Sequence, residues 1–157
     1  MTTRPDVPQF GQELSPYIGK IPEPARAAFL AGLERSAAAR YRIWAEAAPE
    51  HAQVLTACAD REDRIADLVS ELYPVSDGHQ AQIDAVLPGA IERYYELFGS
   101  HTVEDQLYLQ SEAELQGAMA WVRYAGEADD PAAKAVLEEC TALERESSAA
   151  VKALLDV

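Results

Sequence analysis

Two cysteines among 157 residues cannot build a disulfide framework or a Cys-rich zinc module, and three histidines do not complete one. Basic residues are scarce as well: 13 Lys and Arg stand against 27 Asp and Glu, a formal charge of −14. This argues against nucleic acid as a partner, because neutralising phosphates takes clustered Lys and Arg, and against a polybasic membrane contact. No stretch approaches the roughly 18 apolar residues of a membrane helix. The segment Met1 to Pro8 has one Arg and no apolar run, so no signal peptide is expected. Sustained period-2 alternation is missing, and no sheet is predicted. These absences leave a cytoplasmic protein with reduced cysteines as the expectation.

The chain does have the means to fold. It is 48% apolar and 25% charged, ordinary for one folded domain and long enough to bury a core without staples. Prolines fall at 5, 8, 16, 22, 24, 49, 74, 88 and 131 and break helix interiors while suiting first turns. The proline-free blocks are rich in Ala, Glu, Leu and Arg, which favour helix. The spacing predicts four long helices over 24–47, 49–73, 102–127 and 131–155, with a shorter one over 88–99 ended by Gly99-Ser100. Ala47-Ala48-Pro49 and Asp129-Asp130-Pro131 leave almost no loop, so each flanking pair must run antiparallel. The long connection over 74–101 can cross the length of the bundle. Residues 1–22 read as an N-terminal arm, with 23–157 as the bundle. Phe10, Leu14, Tyr17, Ile18 and Ile21 have helical spacing interrupted by Gly11 and Pro16; the arm packs on the bundle or contributes to a homodimer contact.

An internal repeat lands on glutamates. A shift of 80 residues places Glu34 on Glu114, Tyr41 on Trp121, Trp44 on Tyr124 and Ala45 on Ala125. A shift of 82 places Leu55 on Leu137, Cys58 on Cys140, Glu62 on Glu144, Val69 on Val151 and Leu72 on Leu154. One hairpin is thus written twice, which implies a pseudo-two-fold axis. The matched positions recur in steps of 3 and 4, which keeps them on one helix face. Each long helix places one seam glutamate toward the core. Glu34 and Glu62 each lie 14 residues from residue 48, and Glu114 and Glu144 each lie 15 from residue 129. At 1.5 Å per residue all four sit roughly 21–23 Å from their turns, so the carboxyls should meet mid-bundle. Buried carboxylates lose several kcal/mol of hydration each, on an order-of-magnitude view. They need protons, a cation, or an arginine reaching in from Arg40, Arg61 or Arg145, which flank the seams.

Four segments carry a family resemblance. LERSAAARYRIWAEAA (Leu33 to Ala48), CADREDRIA (Cys58 to Ala66), AELQGAMAWVRYA (Ala113 to Ala125) and CTALERESSA (Cys140 to Ala149) are similar to the two helix pairs of rubrerythrin-type proteins of the ferritin-like superfamily. The similarity covers roughly residues 25–157. It implies an all-α, ferritin-like four-helix bundle of two antiparallel hairpins, joined by a long crossover containing a short helix. It also implies a centre for two iron or manganese ions, held by one Glu on each of two helices and a Glu-x-x-His on each of the other two. Glu34 and Glu114 match the lone glutamates; Glu62 and Glu144 match those of the second motif. Both histidines are missing: Ile65 and Ser147 stand in their places. The rubredoxin-like four-cysteine domain is absent too. The implied centre is therefore degenerate, although four carboxylates can still hold Mg, Ca or Mn, or iron with added water.

The remaining chemistry-bearing residues read as structural. Cys58 and Cys140 lie one turn before their glutamates, on opposite sides of the site if their helices are antiparallel, and are expected as buried core residues without a mutual disulfide. His51, His79 and His101 fall outside the glutamate level. Tyr41, Trp44, Trp121 and Tyr124 form an aromatic belt toward the turn ends. Tyr94, Tyr95 and Phe98 should pack on the bundle or line a dimer face. Two function classes follow. The first is a metal-binding oxidoreductase or metal-handling protein with Glu34, Glu62, Glu114 and Glu144 as ligands and no catalytic residue named. The alternative is a metal-free helical module that binds a small molecule or a protein partner. A cage-forming storage protein is disfavoured by the incomplete iron-oxidising site.

Overall fold

The computed structural model describes residues 3–156, so the first two residues of the expected arm and the last residue of the expected bundle lie outside it. Among the described residues there are six helices and no strand: α1 (Phe10–Ile18), α2 (Arg26–Ala47), α3 (Ala52–Leu72), α4 (Asp77–Gly99), α5 (Val103–Glu127) and α6 (Pro131–Leu154). Single turns of 3₁₀ helix, Glu23–Ala25 and Pro49–His51, introduce α2 and α3. Three helices start on side-chain caps. Ser76 Oγ accepts from the His79 N–H, Thr102 Oγ1 from that of Asp105, and Asp130 Oδ1 from that of Ala132, each at 3.2 Å. Each cap satisfies a first-turn donor that has no partner within its helix. Pro131 occupies the first turn of α6, where its missing N–H costs nothing.

Side-chain pairs fix the helix directions. Arg35 meets Asp67 at 2.8 Å and Arg42 meets Asp63 at 2.6 Å, so α2 and α3 run antiparallel. Lys152–Glu112 at 2.6 Å and Trp121–Glu144 at 3.1 Å do the same for α5 and α6. Arg64–Glu139 at 3.3 Å and Arg61–Ser147 at 3.0 Å align α3 against α6. Trp44–Gln106 at 2.8 Å and Tyr41–Glu114 at 2.6 Å join α2 to α5. Such contacts report register; the exposed ion pairs contribute little to stability.

The crossover helix is longer than its sequence suggests. A short helix over 88–99 was the expectation, with Pro88 as its start. Instead α4 begins at Asp77 and runs 23 residues with Pro88 inside it. Pro88 is exposed, so the carbonyl four residues earlier, left without its donor, can turn to water. Burial of Ile83 and Ala90 on either side holds the helix together. Gly32 on α2 makes room for α4, because a Cβ there would lie 2.6 Å from Leu87 Cδ2. The arm is ordered as α1 in spite of Gly11 and Pro16. Phe10 and Leu14 are buried, and Glu13 accepts from Arg93 of α4 at 2.7 Å.

The core has three apolar clusters. One gathers Tyr41, Trp44, Leu55, Cys58, Leu107 and Val151. A second gathers Ala31, Ile65, Val69, Trp121, Leu137 and Cys140. A third joins Leu14, Phe29, Leu33, Ile83 and Ala90 beneath α1 and α4. A fully buried Leu, Ile or Phe contributes about 1.5–3 kcal/mol, which gives the first two clusters the means to hold polar residues between them. That intervening layer contains the glutamates.

Candidate metal centre

Glu62, Glu114 and Glu144 are buried at 0%, 2% and 1% exposure. Glu34 is half-buried, where it lines a cleft. The structure brings Glu34, Glu62 and Glu144 together: one carboxylate oxygen from each lies within 4.8 Å of the other two. Glu114 adjoins this trio but is engaged elsewhere. Its Oε1 accepts from the Tyr41 hydroxyl at 2.6 Å and from Gln110 Nε2 at 2.7 Å. On sequence the four glutamates are equivalent; the donors from Tyr41 and Gln110 set Glu114 apart.

The trio is short of donors. Glu144 Oε1 accepts the Trp121 indole N–H at 3.1 Å. Its Oε2 and both oxygens of Glu62 are buried with no hydrogen-bond partner. Among the described residues no Lys, Arg or His forms an ion pair with any of the four glutamates. The flanking arginines go elsewhere. Arg61 donates to Ser147 Oγ at 3.0 Å and to Cys58 Sγ at 3.4 Å. Arg145 is exposed. Arg40 reaches the centre only through Gln110 Oε1, at 3.3 Å.

Burial and crowding decide the charge of the metal-free cluster. Burial lifts Glu34 to about 7, with the charge of Glu114 pushing the same way and contacts to Glu62 and Glu144 opposing. Glu62 and Glu144 are raised well above the usual carboxylate range, first by burial and then by the charges of their neighbours. Tyr41 is likewise raised by burial and by the nearby Glu114 charge, so its phenol keeps the proton it donates. Near neutral pH the metal-free trio therefore carries protons, the escape open to like carboxyls in one low-dielectric pocket.

A cation is the other escape, and the residues fit one. Two ligands on one hard cation at 2.0–2.6 Å can be no more than about 4.0–5.2 Å apart. The trio's oxygens, within 4.8 Å of one another, are close enough to be drawn onto one such ion by small side-chain shifts. The donors are all oxygen, the set that suits Mg, Ca and Mn. Both oxygens of Glu62 and one of Glu144 receive no hydroxyl, amide, indole or guanidinium donor, so a cation would displace only the protons that the carboxyls share.

The positions where the resemblance expects histidine offer nothing. Ile65 and Ser147 are both fully buried, and the Ser147 hydroxyl is taken by Arg61. Cys58 and Cys140 are free and buried. Burial raises both thiols, Cys140 to about 12 with help from the Glu34 charge, which keeps them protonated and poor ligands.

Sequence reasoning did not find the roles of four residues that shape the centre. Gln110 bridges Arg40 to Glu114. Tyr41 and Trp121 act as donors rather than as packing alone. Gly117 sits where a Cβ would lie 2.6 Å from Glu144 Oε1. A signal for the donors was present: Tyr41 and Trp121 are repeat partners, each seven residues after its seam glutamate. The centre opens outward through a cleft of about 1370 Å³ lined from α1, α2 and α5, with Glu34, Glu114 and Glu144 on its wall. No helix among the described residues is long and apolar enough to cross a membrane. No family model, no curated protein and no solved structure matches this chain.

Proposed function

We propose that this protein is a ferritin-like four-helix bundle, with α2–α3 and α5–α6 as its hairpins and α4 in its crossover, and that its carboxylate centre binds a hard divalent cation. Glu34, Glu62 and Glu144 are the ligands, and Glu114 is the fourth carboxylate held ready beside them. The observation that carries this reading is Glu62. It is wholly buried, its oxygens have no partner other than the neighbouring carboxyls, and two of those carboxyls stand within a cation's span. Without imidazole the site favours manganese, magnesium or calcium held by oxygen, with manganese the member of that set the family resemblance also implies, rather than the two-ion centre with histidine. When bound, such an ion supplies Lewis acidity or a one-electron couple at the inner end of the cleft. The chain's own residues orient it: Trp121 fixes Glu144, and Tyr41 and Gln110 fix Glu114.

The test is metal analysis of protein purified without chelator, followed by Mn²⁺ titration of the wild type and Glu62→Gln. About one Mn²⁺ per chain is expected for the wild type, with little or none for Glu62→Gln at unchanged helicity. A wild type that retains no metal and gains no thermal protection from Mn²⁺ would favour a metal-free binding module instead.

A further inference from the structure

Arg40 is a buried cation without an anion. It is 4% exposed, and no carboxylate lies within ion-pair distance among the described residues. Its Nη1 donates to Ser36 Oγ at 3.1 Å and its Nη2 to Gln110 Oε1 at 3.3 Å. Its Nε–H finds no acceptor. Rings of Tyr94, Phe98 and Tyr95 lie 4.9, 5.2 and 5.8 Å from the guanidinium carbon. Aromatic faces and neutral oxygens offset only part of what burying a full charge costs.

Arg40 is among the residues that line the same cleft as Glu34. The same cleft is lined by the apolar and aromatic Leu30, Leu33, Ala120, Trp121 and Tyr124, with Arg26, Arg123, Glu23 and Glu127 as its other charged residues. Small-molecule sites combine a mostly apolar concavity with a few placed polar groups, and a volume of about 1370 Å³ is ample for one. An arginine edge with a free Nε–H matches a carboxylate geometrically as well as by charge.

We propose that the cleft binds an apolar monocarboxylate, its acid group paired with Arg40 and its hydrocarbon body lying along Leu30, Leu33 and Trp121. A single negative charge suits the inner end, where Arg40 is the buried cation and Glu34 and Glu114 line the same cleft; the cleft's other arginines, Arg26 and Arg123, are half-buried and exposed. The apolar body suits the remaining wall. The inference stands apart from the metal reading: the guanidinium and the cleft are present whether or not the trio holds an ion.

The probe is octanoate, with 1-octanol as its neutral counterpart. Each is titrated into the chelator-treated full chain by calorimetry, with the Arg40 Nε–H followed by NMR. Octanoate should bind at least tenfold more tightly than octanol and should shift the Nε–H resonance. Arg40→Met should abolish the preference for the acid. Removing a buried cation can disturb folding, so Ala120→Phe serves as a second variant: it leaves Arg40 intact, fills the cleft and should also lose octanoate. Equal binding of acid and alcohol, an unmoved Nε–H, or undiminished octanoate binding by folded Ala120→Phe would overturn the proposal. Octanoate binding by a protein that takes up no Mn²⁺ would refute the metal reading and leave this one standing.

Discussion

Gly117→Ala separates the geometry of the centre from the stability of the fold. A Cβ at 117 would lie 2.6 Å from Glu144 Oε1, 3.1 Å from its Cδ and 3.4 Å from its Oε2. The obstacle is the far end of a flexible side chain, so Glu144 retreats and the helices stay in place. Reaching ordinary contact takes a shift of about 0.8 Å, more than the whole range of about 0.6 Å spanned by metal–oxygen bonds of 2.0–2.6 Å. Alanine returns about 1 kcal/mol of helix propensity. Against this stand about 0.5–1.5 kcal/mol for an off-rotamer glutamate and about 1–3 kcal/mol for loosening the Trp121 bond to Glu144. The metal-free variant should therefore lose about 0.5–3.5 kcal/mol and remain folded. The informative quantity is the extra stability that Mn²⁺ confers. At a hundredfold excess over the wild-type Kd that protection is about 2.7 kcal/mol, and a tenfold weaker site reduces it to about 1.4 kcal/mol. Melting curves in chelator and in Mn²⁺, with calorimetric Kd values, read both terms. Gly126→Ala on the same helix is the control, because nothing lies within 4 Å of a Cβ there; it should gain stability without touching affinity. If Gly117→Ala keeps the wild-type Mn²⁺ affinity, Glu144 is not a ligand and the room left by Gly117 has no bearing on the centre.

In chelated protein Glu62→Gln should match or exceed wild-type stability, since it removes a carboxyl crowded by its neighbours; a loss above about 3 kcal/mol would show a buried charge that was paired after all. Metal-free protein should melt higher at pH 5.5 than at pH 8. The raised carboxyls hold protons that the unfolded chain has released, so their contribution is fullest below about 4.5 and is lost as pH rises through about 7. Mn²⁺ must displace those protons, so its protection should be greater at pH 8, and a melting temperature that climbs between pH 5.5 and 8 without metal would contradict the assignment. Tyr41→Phe should cost about 1–3 kcal/mol in a thermal melt by taking a donor from buried Glu114. It should leave Mn²⁺ affinity in the same order of magnitude, because Glu114 stands outside the trio. Pro88→Ala should stabilise the chain by restoring an N–H to the interior of α4, by up to about 3 kcal/mol; a lower melting temperature would show that the proline ring packs where alanine cannot.

These perturbations also mark what was legible in the residues. The helices of the two hairpins follow from spacing, because steps of 3 and 4 put side chains on one face whatever the partner helix is; the same spacing puts four glutamates at one level, of which Glu34, Glu62 and Glu144 come within a cation's span. Local signals failed where a distant contact overrode them. Pro16 and Pro88 each argue against a helix, yet α1 and α4 form through them because Phe10, Leu14, Ile83 and Ala90 are buried. Arg40 reads as one of three arginines that flank the seams and can reach in, and only the docking of α4 brings the rings of Tyr94, Tyr95 and Phe98 over its guanidinium.

The difference between Glu114 and the other glutamates is of the same kind. Seam position places all four alike; what distinguishes Glu114 is a phenol from α2 and an amide one turn earlier on α5. Those two donors lie on the side of Arg40, and Gln110 touches both Arg40 and Glu114. The centre thus has two unlike ends. Glu62, with two unpartnered oxygens, is the end that lacks a cation, and Arg40, with an unpartnered Nε–H, is the end that lacks an anion. The cleft reaches Arg40 and also Glu34 and Glu144, the neighbours of Glu62. A cation taken up by the trio would lower the negative potential that an incoming carboxylate meets on its way to Arg40. By linkage, each ligand should then tighten the other by the same factor, which parallel titrations of Mn²⁺ with and without octanoate would read directly. Equal Mn²⁺ affinities in the two titrations would mean that the two ends act independently.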